Sequence, residues 1–148
     1  MSLALNHYSI RTADLEASRR FYVDALGLEV GPRPDFPFPG LWLYAGDTSV
    51  WANAVVHLID VGSGDQGDQG GLRGYLGERG PTAERGTGAL DHVAFFATGL
   101  SERRAVLQRL GIATQERQVP GLGLHQLFAQ DPDGIVVELN FPAAEAAG

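Results

Sequence analysis

Apolar and polar positions alternate from Leu5 to Arg11, with Leu5, His7, Ser9 and Arg11 facing one way and Tyr8 and Ile10 the other. That period of two predicts a strand. Asp14 then stands where an N-cap belongs, ahead of a helix over Leu15 to Leu26. Its residues Leu15, Phe21, Tyr22, Ala25 and Leu26 approximate one stripe, and Gly27 stands ready to end it. Leu28 to Val30 is a short strand. Prolines in 31–40 remove ladder donors and make that stretch a loop, while Leu41 to Ala45 and Val55 to Ile59 are strands on either side of a turn and a segment carrying Trp51. The order is strand, helix, strand, strand, strand.

From Val61 to Gly88 the chain turns to Gly, Asp, Gln and Arg, too poor in apolar residues for a long packed element, with one helical turn expected at Leu72 to Leu76. The first pattern then returns. Leu90 to Thr98 is a strand, Ser101 an N-cap for a helix from Glu102 to Leu110, and Gly111 its stop. Ile112 to Val119, His125 to Gln130 and Ile135 to Phe141 are strands, the last two joined by an Asp131-Pro132-Asp133-Gly134 turn. Leu43 to Asp47 aligns with Leu127 to Asp131 without a gap, and Pro142 onward is a small-residue tail expected to fray.

The expected fold is therefore α+β, two tandem βαβββ modules over 3–60 and 89–142 within a single domain 1–148, with 61–88 as a Gly-rich linker or lid. Two half-sheets related by a pseudo-twofold would form a cup-shaped, barrel-like mixed β-sheet with helices on the outside.

The repeat carries chemistry. Leu5-Asn6-His7 returns as Leu90-Asp91-His92, and Val55-Val56-His57-Leu58 returns as Val136-Val137-Glu138-Leu139. A lone His or Glu on a strand is more often a satisfied or solvated residue than a ligand. Four of them at matching positions, each opposite an apolar strand face, point to one metal site built from His7, His57, His92 and Glu138. Three imidazoles and a carboxylate suit a divalent transition metal (Zn, Ni, Co, Fe or Mn) and suit Ca or Mg poorly.

Composition narrows the field. The sequence has no cysteine, which excludes disulfides and thiolate ligands. With 44% apolar and 20% charged residues it is that of an ordinary globular protein, without an apolar run long enough for a membrane span and without a signal-peptide pattern. A net charge of −7 with scattered Lys and Arg argues against nucleic acid as partner. The expectation is a cytoplasmic protein, a homodimer, acting on a small-molecule substrate.

The paired βαβββ units, their Leu-Asn-His and Leu-Asp-His openings, the Phe21-Tyr22 to Leu26-Gly27 helix end and the Asp131 to Gly134 turn ahead of Glu138 resemble the vicinal-oxygen-chelate superfamily over about residues 3 to 141. That group includes glyoxalase I, fosfomycin-resistance transferases, extradiol dioxygenases and bleomycin-binding proteins. The resemblance implies an ion held in the cup and chelated by neighbouring oxygens of a substrate. For glyoxalase I it implies ligand roles for His7, His92 and Glu138, with His57 where that family has a Glu, and Glu138 as base in an isomerase or lyase-type proton transfer through a metal-stabilised enediolate. For an extradiol dioxygenase, a non-haem Fe(II) enzyme, it implies a Tyr and a His where this chain has Phe128 and Val119. A third alternative is non-catalytic binding of a small molecule, as in bleomycin resistance.

Other residues have two readings each. His125 either faces the cup as a catalytic acid–base group or lines the 120–124 loop. Arg11 and Phe96 share strand faces with the histidines and either line the pocket or serve the structure. Phe36, Phe38, Trp42, Tyr44 and Trp51 form a substrate wall or belong to core and interface. The Gly-rich 62–88 stretch lacks the Lys-Ser/Thr and strand-to-helix context of a phosphate loop.

Overall fold

The computed structural model of the protein describes residues 1–62, 71–79 and 84–147. The chain gathers into two compact units, Met1–Glu84 and Arg85–Gly148, divided inside the predicted 61–88 linker. Parts of that linker (63–70 and 80–83) and Gly148 lie outside the described residues.

The first unit runs β1 (Tyr8–Thr12), α1 (Leu15–Arg19), β2 (Glu29–Gly31), β3 (Gly40–Tyr44), β4 (Ala54–Asp60) and α2 (Leu72–Leu76). Its sheet has the order β1-β4-β3-β2, with β4 parallel to β1 and antiparallel to β3. Asp14 caps α1 as predicted: its backbone is extended and its Oδ1 accepts the Ala17 N–H at 2.9 Å. The single helix expected from Leu15 onward changes its winding after Arg19, and Arg20–Ala25 form a π turn that ends at Gly27, φ 82°. The wider turn brings Phe21, Tyr22 and Ala25 to the buried side together, which the stripe at α spacing could only approximate.

Val56 and Leu58 are buried on one face of β4, but His57 and Ile59 on the opposite face are buried too. The cover there includes the linker's own helix, since Leu72 and Leu76 of α2 pack with Phe38 and Ile59 in a small apolar cluster. The helical turn expected at 72–76 is thus a docked element of the first unit. Phe38 and Tyr44 take the core reading, whereas Trp51 is exposed.

The second unit runs β5 (Val93–Phe96), α3 (Leu100–Arg109), β6 (Thr114–Val119), β7 (Leu124–Gln130) and β8 (Val136–Pro142), in the sheet order β5-β8-β7-β6. The topology repeats that of the first unit strand for strand. Leu127, Ala129, Val137, Leu139 and Phe141 form its buried face with Leu100 and Leu107 of α3. The Asp131 turn forms as predicted, with Asp131 Oδ1 accepting from the Asp133 and Ile135 backbone and Gly134 at φ 85°.

The architecture is α+β, with each βαβββ module forming its own four-stranded mixed sheet, in keeping with the two half-sheets of the sequence reading; neither sheet closes into a barrel. Strand starts also differ. Leu5 to His7 and Leu90 to His92 precede their strands, because the parallel ladders begin only at Tyr8↔Val56 and Val93↔Val137. The helix expected from Glu102 starts at Leu100, with Gly99 at φ 79° in place of Ser101 as its N-cap. The tail expected to fray folds into a short turn at Ala143–Ala146, and Glu145 Oε2 accepts the Leu100 N–H at 2.8 Å, closing the end of α3 that Gly99 leaves without a side-chain cap.

The ladders also move one alignment. Val56 pairs with Leu43, while its counterpart Val137 pairs with Ala129, so the gapless match of Leu43 to Leu127 slips by two positions. An irregularity between Leu43 and Tyr44, where β4 skips Val55, accompanies the shift. Because the slip is even, every side chain keeps its face. Trp42 and Phe128 become counterparts, each directly across from a candidate ligand, His57 and Glu138 respectively.

Among the described residues no helix is long and apolar enough to cross a membrane.

Candidate functional site

The four residues singled out by the repeat form two pairs, one in each unit. In the first, His57 lies at the middle of the central strand, with Ser9 of β1 beside it on one side and Trp42 of β3 on the other. Its ring stacks on His7, centroids 3.8 Å apart and planes 19° apart, and on Trp42, at 3.9 Å and 7°. His7, just ahead of β1, and Trp42 of β3 supply the two partners, so His57 is sandwiched between them. His57 Nε2 donates to the Ala54 carbonyl at 3.1 Å, which leaves Nδ1 as the nitrogen with a lone pair. Burial foremost, then the neighbouring His7, pushes this imidazole down to about 4, so the ring is neutral at physiological pH.

In the second unit His92 Nε2 lies 3.0 Å from Glu138 Oε2. Glu138 is buried on β8, and its other oxygen accepts from Gln126 Nε2 at 2.6 Å and from Asn140 Nδ2 at 2.7 Å. Gln126, Phe128, Glu138 and Asn140 share a face because Gln126 pairs with Asn140 and Phe128 with Glu138. Two amide donors on Oε1 fix the carboxylate and leave Oε2 for His92. Phe128 meets the His92 ring edge-on at 6.1 Å and closes one side of the pair.

The residue before each opening histidine has a role that sequence reading missed. His7 Nδ1 donates to Asn6 Oδ1 at 2.6 Å and His92 Nδ1 to Asp91 Oδ2 at 2.7 Å. An acceptor on Nδ1 fixes the tautomer and turns Nε2 outward, as second partners do for metal-binding histidines. Gln126 and Asn140 were missed as well, although a signal was present: both are polar at alternate positions, in register with Glu138, in strands otherwise apolar.

His125 is placed elsewhere. It pairs with Phe141, on the opposite face of the sheet from Glu138, and its Nε2 hydrogen-bonds Glu116 Oε2 next to Arg104 of α3. This placement turns His125, read from the sequence as an acid–base group of the cup or a residue of the 120–124 loop, away from Glu138, since strand alternation separates odd from even positions. Phe96 does share the Glu138 face, through its pairing with Asn140, and is exposed.

The donors suit a divalent transition metal. Two ligand atoms each ~2.1 Å from one ion and ~90° apart lie ~3.0 Å from each other, the separation seen between His92 Nε2 and Glu138 Oε2. Among the described residues no three His, Asp or Glu side chains gather into a group able to hold an ion.

A family model described as Glyoxalase/Bleomycin resistance protein/Dioxygenase superfamily matches residues 4–139. The chain belongs to this superfamily. Among solved structures it is similar to a glyoxalase-family protein from Bacillus anthracis (18% identity, TM-score 0.64, covering 96% of this chain and 97% of that one). It is also similar to a lactoylglutathione lyase from Agrobacterium tumefaciens (20%, 0.61, 97% and 97%). A third is TnmS3, an antibiotic binding protein from Streptomyces sp. CB03234 (20%, 0.58, 96% and 98%). No match was found among curated proteins.

Proposed function

We propose that the protein is a metal-dependent enzyme of the glyoxalase type that acts on a small molecule with two adjacent oxygens, by isomerisation or lyase-type proton transfer. His7, His57, His92 and Glu138 are the proposed ligands of one divalent ion, of the Zn, Ni, Co, Fe or Mn group. The observation that carries this reading is the His92–Glu138 pair, with His92 Nε2 3.0 Å from Glu138 Oε2, Asp91 on the other nitrogen of the ring, and Gln126 and Asn140 on the other carboxylate oxygen. The ion, when bound, supplies Lewis acidity to the adjacent oxygens of the substrate.

The chain's own residues do the rest. Asp91 and Asn6 hold the His92 and His7 rings, and Gln126 with Asn140 engage Glu138 Oε1. Glu138 is also the residue proposed to take the proton from the substrate carbon and return it. Burial of Glu138 keeps water from competing for that proton. A cytoplasmic homodimer is the proposed setting.

A second reading, a non-catalytic small-molecule binder, draws on the aromatic row of the first unit: Trp42 stacks on His57 and approaches Phe36, which in turn meets Phe38 and Tyr75. The antibiotic-binding neighbour TnmS3 is in keeping with it.

Elemental analysis of protein purified without chelator, and of His7→Ala, His57→Ala, His92→Ala and Glu138→Gln, separates the two. The enzyme reading expects one transition-metal ion per chain and its loss in the variants. Protein that holds no ion and takes none up on dialysis against Zn²⁺ or Ni²⁺ overturns it in favour of the binder.

A further inference from the structure

Arg117 lies on β6 across from Gln126, and so on the same sheet face as Glu138 and Asn140. Its Nε donates to Gln126 Oε1 at 2.7 Å, and its guanidinium carbon sits 5.1 Å from the centre of the Phe128 ring. Gln126 is buried, and its own Nε2 donates to Glu138 Oε1. One amide side chain therefore joins this cation to the carboxylate proposed as ligand and base.

The hold is one-sided. Gln126 takes Nε and the Phe128 ring lies within cation–π reach of the guanidinium carbon, while among the described residues no carboxylate pairs with the outer two nitrogens. Two ion-paired arginines among the described residues contrast with it: Arg104 is engaged by Glu116, and Arg19 by Glu16. A cavity of about 350 Å³ lies beside Phe128, with Gln115, Gln130 and Val136 in its wall. Gln115 and Phe128 are directly paired, so the cavity adjoins the strand positions next to Arg117.

A planar guanidinium with two parallel N–H groups left over matches the geometry of a carboxylate, and the cation–π contact with the Phe128 ring restrains the fork. We infer that Arg117 is the anion-recognition residue of this site and that the ligand carries a carboxylate in addition to its adjacent oxygens. The inference rests on the proposed function only for those adjacent oxygens; the carboxylate follows from Arg117 itself. An Arg retained merely to satisfy the buried Gln126 carbonyl would leave ligand charge without effect.

Calorimetric titration of the metal-loaded protein with protocatechuate, which has vicinal hydroxyls and a carboxylate across the ring, and with its neutral carboxamide reads the preference. The acid should bind at least ~10-fold more tightly, and the margin should shrink with added salt. Arg117→Gln should weaken the acid to the level of the amide, leave the amide unchanged and leave metal content unchanged. Arg117→Lys should restore part of the margin.

Equal binding of acid and amide, a margin that survives Arg117→Gln, or no binding of either at millimolar concentration overturns the inference. So does metal loss in Arg117→Gln, which would show that the residue acts only by positioning Glu138 through Gln126. Failure of the metal reading is visible separately, as metal content indifferent to Glu138→Gln. In that case benzoate and benzamide, which need no ion, give the same comparison, and equal binding of the two overturns the inference in turn.

Discussion

Glu138 offers His92 a single oxygen: Oε2 lies 3.0 Å from His92 Nε2, while Oε1 is occupied by the amides of Gln126 and Asn140. The carboxylate is thus divided between a structural half and a chemical half. Gln126 also donates to Asn140 Oδ1 at 3.0 Å, which ties the two amides to each other. Such a network orients its carboxylate without neutralising it, because amides donate hydrogen bonds but carry no charge.

Removing either amide should therefore weaken metal retention without removing a ligand. Gln126→Ala or Asn140→Ala is expected to lower metal affinity by roughly 10- to 100-fold, the range for groups that orient ligands, while Glu138→Gln loses the ion altogether. Competition against a chromophoric chelator measures all three. Unchanged affinity in both amide variants would mean that Glu138 needs no such support.

Trp42 contributes to stability through the face it lays on His57, at 3.9 Å and nearly parallel. Trp42→Ala should destabilise the first unit by about 2 kcal/mol, below the full cost of a buried aromatic because the residue is only half-buried. Trp42→Phe should recover most of that. Urea denaturation reads both.

Acid stability should depend on Glu116. The Arg104 guanidinium, and after it His125, hold its carboxyl at about 2, below the ordinary value of 4.5. A depressed carboxylate stabilises the folded state fully above the unfolded value, and that contribution is lost as pH falls from about 4.5 toward 2. At neutral pH the contribution is about 1 kcal/mol, since the side chain is a quarter exposed and screened accordingly. Glu116→Gln should remove this slope from urea midpoints taken between those pH values; a slope identical to wild type would refute the assignment.

Glu145 should stabilise α3 from the C-terminal tail. Its carboxylate receives the Leu100 N–H, at the positive end of the helix dipole. Glu145→Ala is expected to cost about 1 kcal/mol, the typical value of a lost N-terminal cap, and Glu145→Gln less. Thermal denaturation at neutral pH distinguishes them.

Much of this protein is legible in one dimension. The period-two runs, the Asp14 cap, the Gly27 stop, the Asp131 to Gly134 turn and the duplication of Leu-Asn/Asp-His are short-range features, fixed by residues within a few positions of one another. They yield the βαβββ order, the superfamily and the four repeat positions His7, His57, His92 and Glu138. The π turn at Arg20–Ala25, the two-position slip of β3 against β7 and the dependence of α3 on Glu145 were not legible. Each is decided by packing or pairing with a segment distant in sequence.

By itself, then, the sequence determined which residues carry side chains able to act and in which module each stands. Only the tertiary structure decided what those residues do to one another. It gave His57 its two stacked neighbours, divided the Glu138 oxygens, turned His125 to the helix side with Glu116 and Arg104, and set Arg117 over Phe128 with an open fork. The physical reason is that periodicity specifies a face, whereas partners across a sheet depend on register between strands, and register is set by the burial of the whole unit.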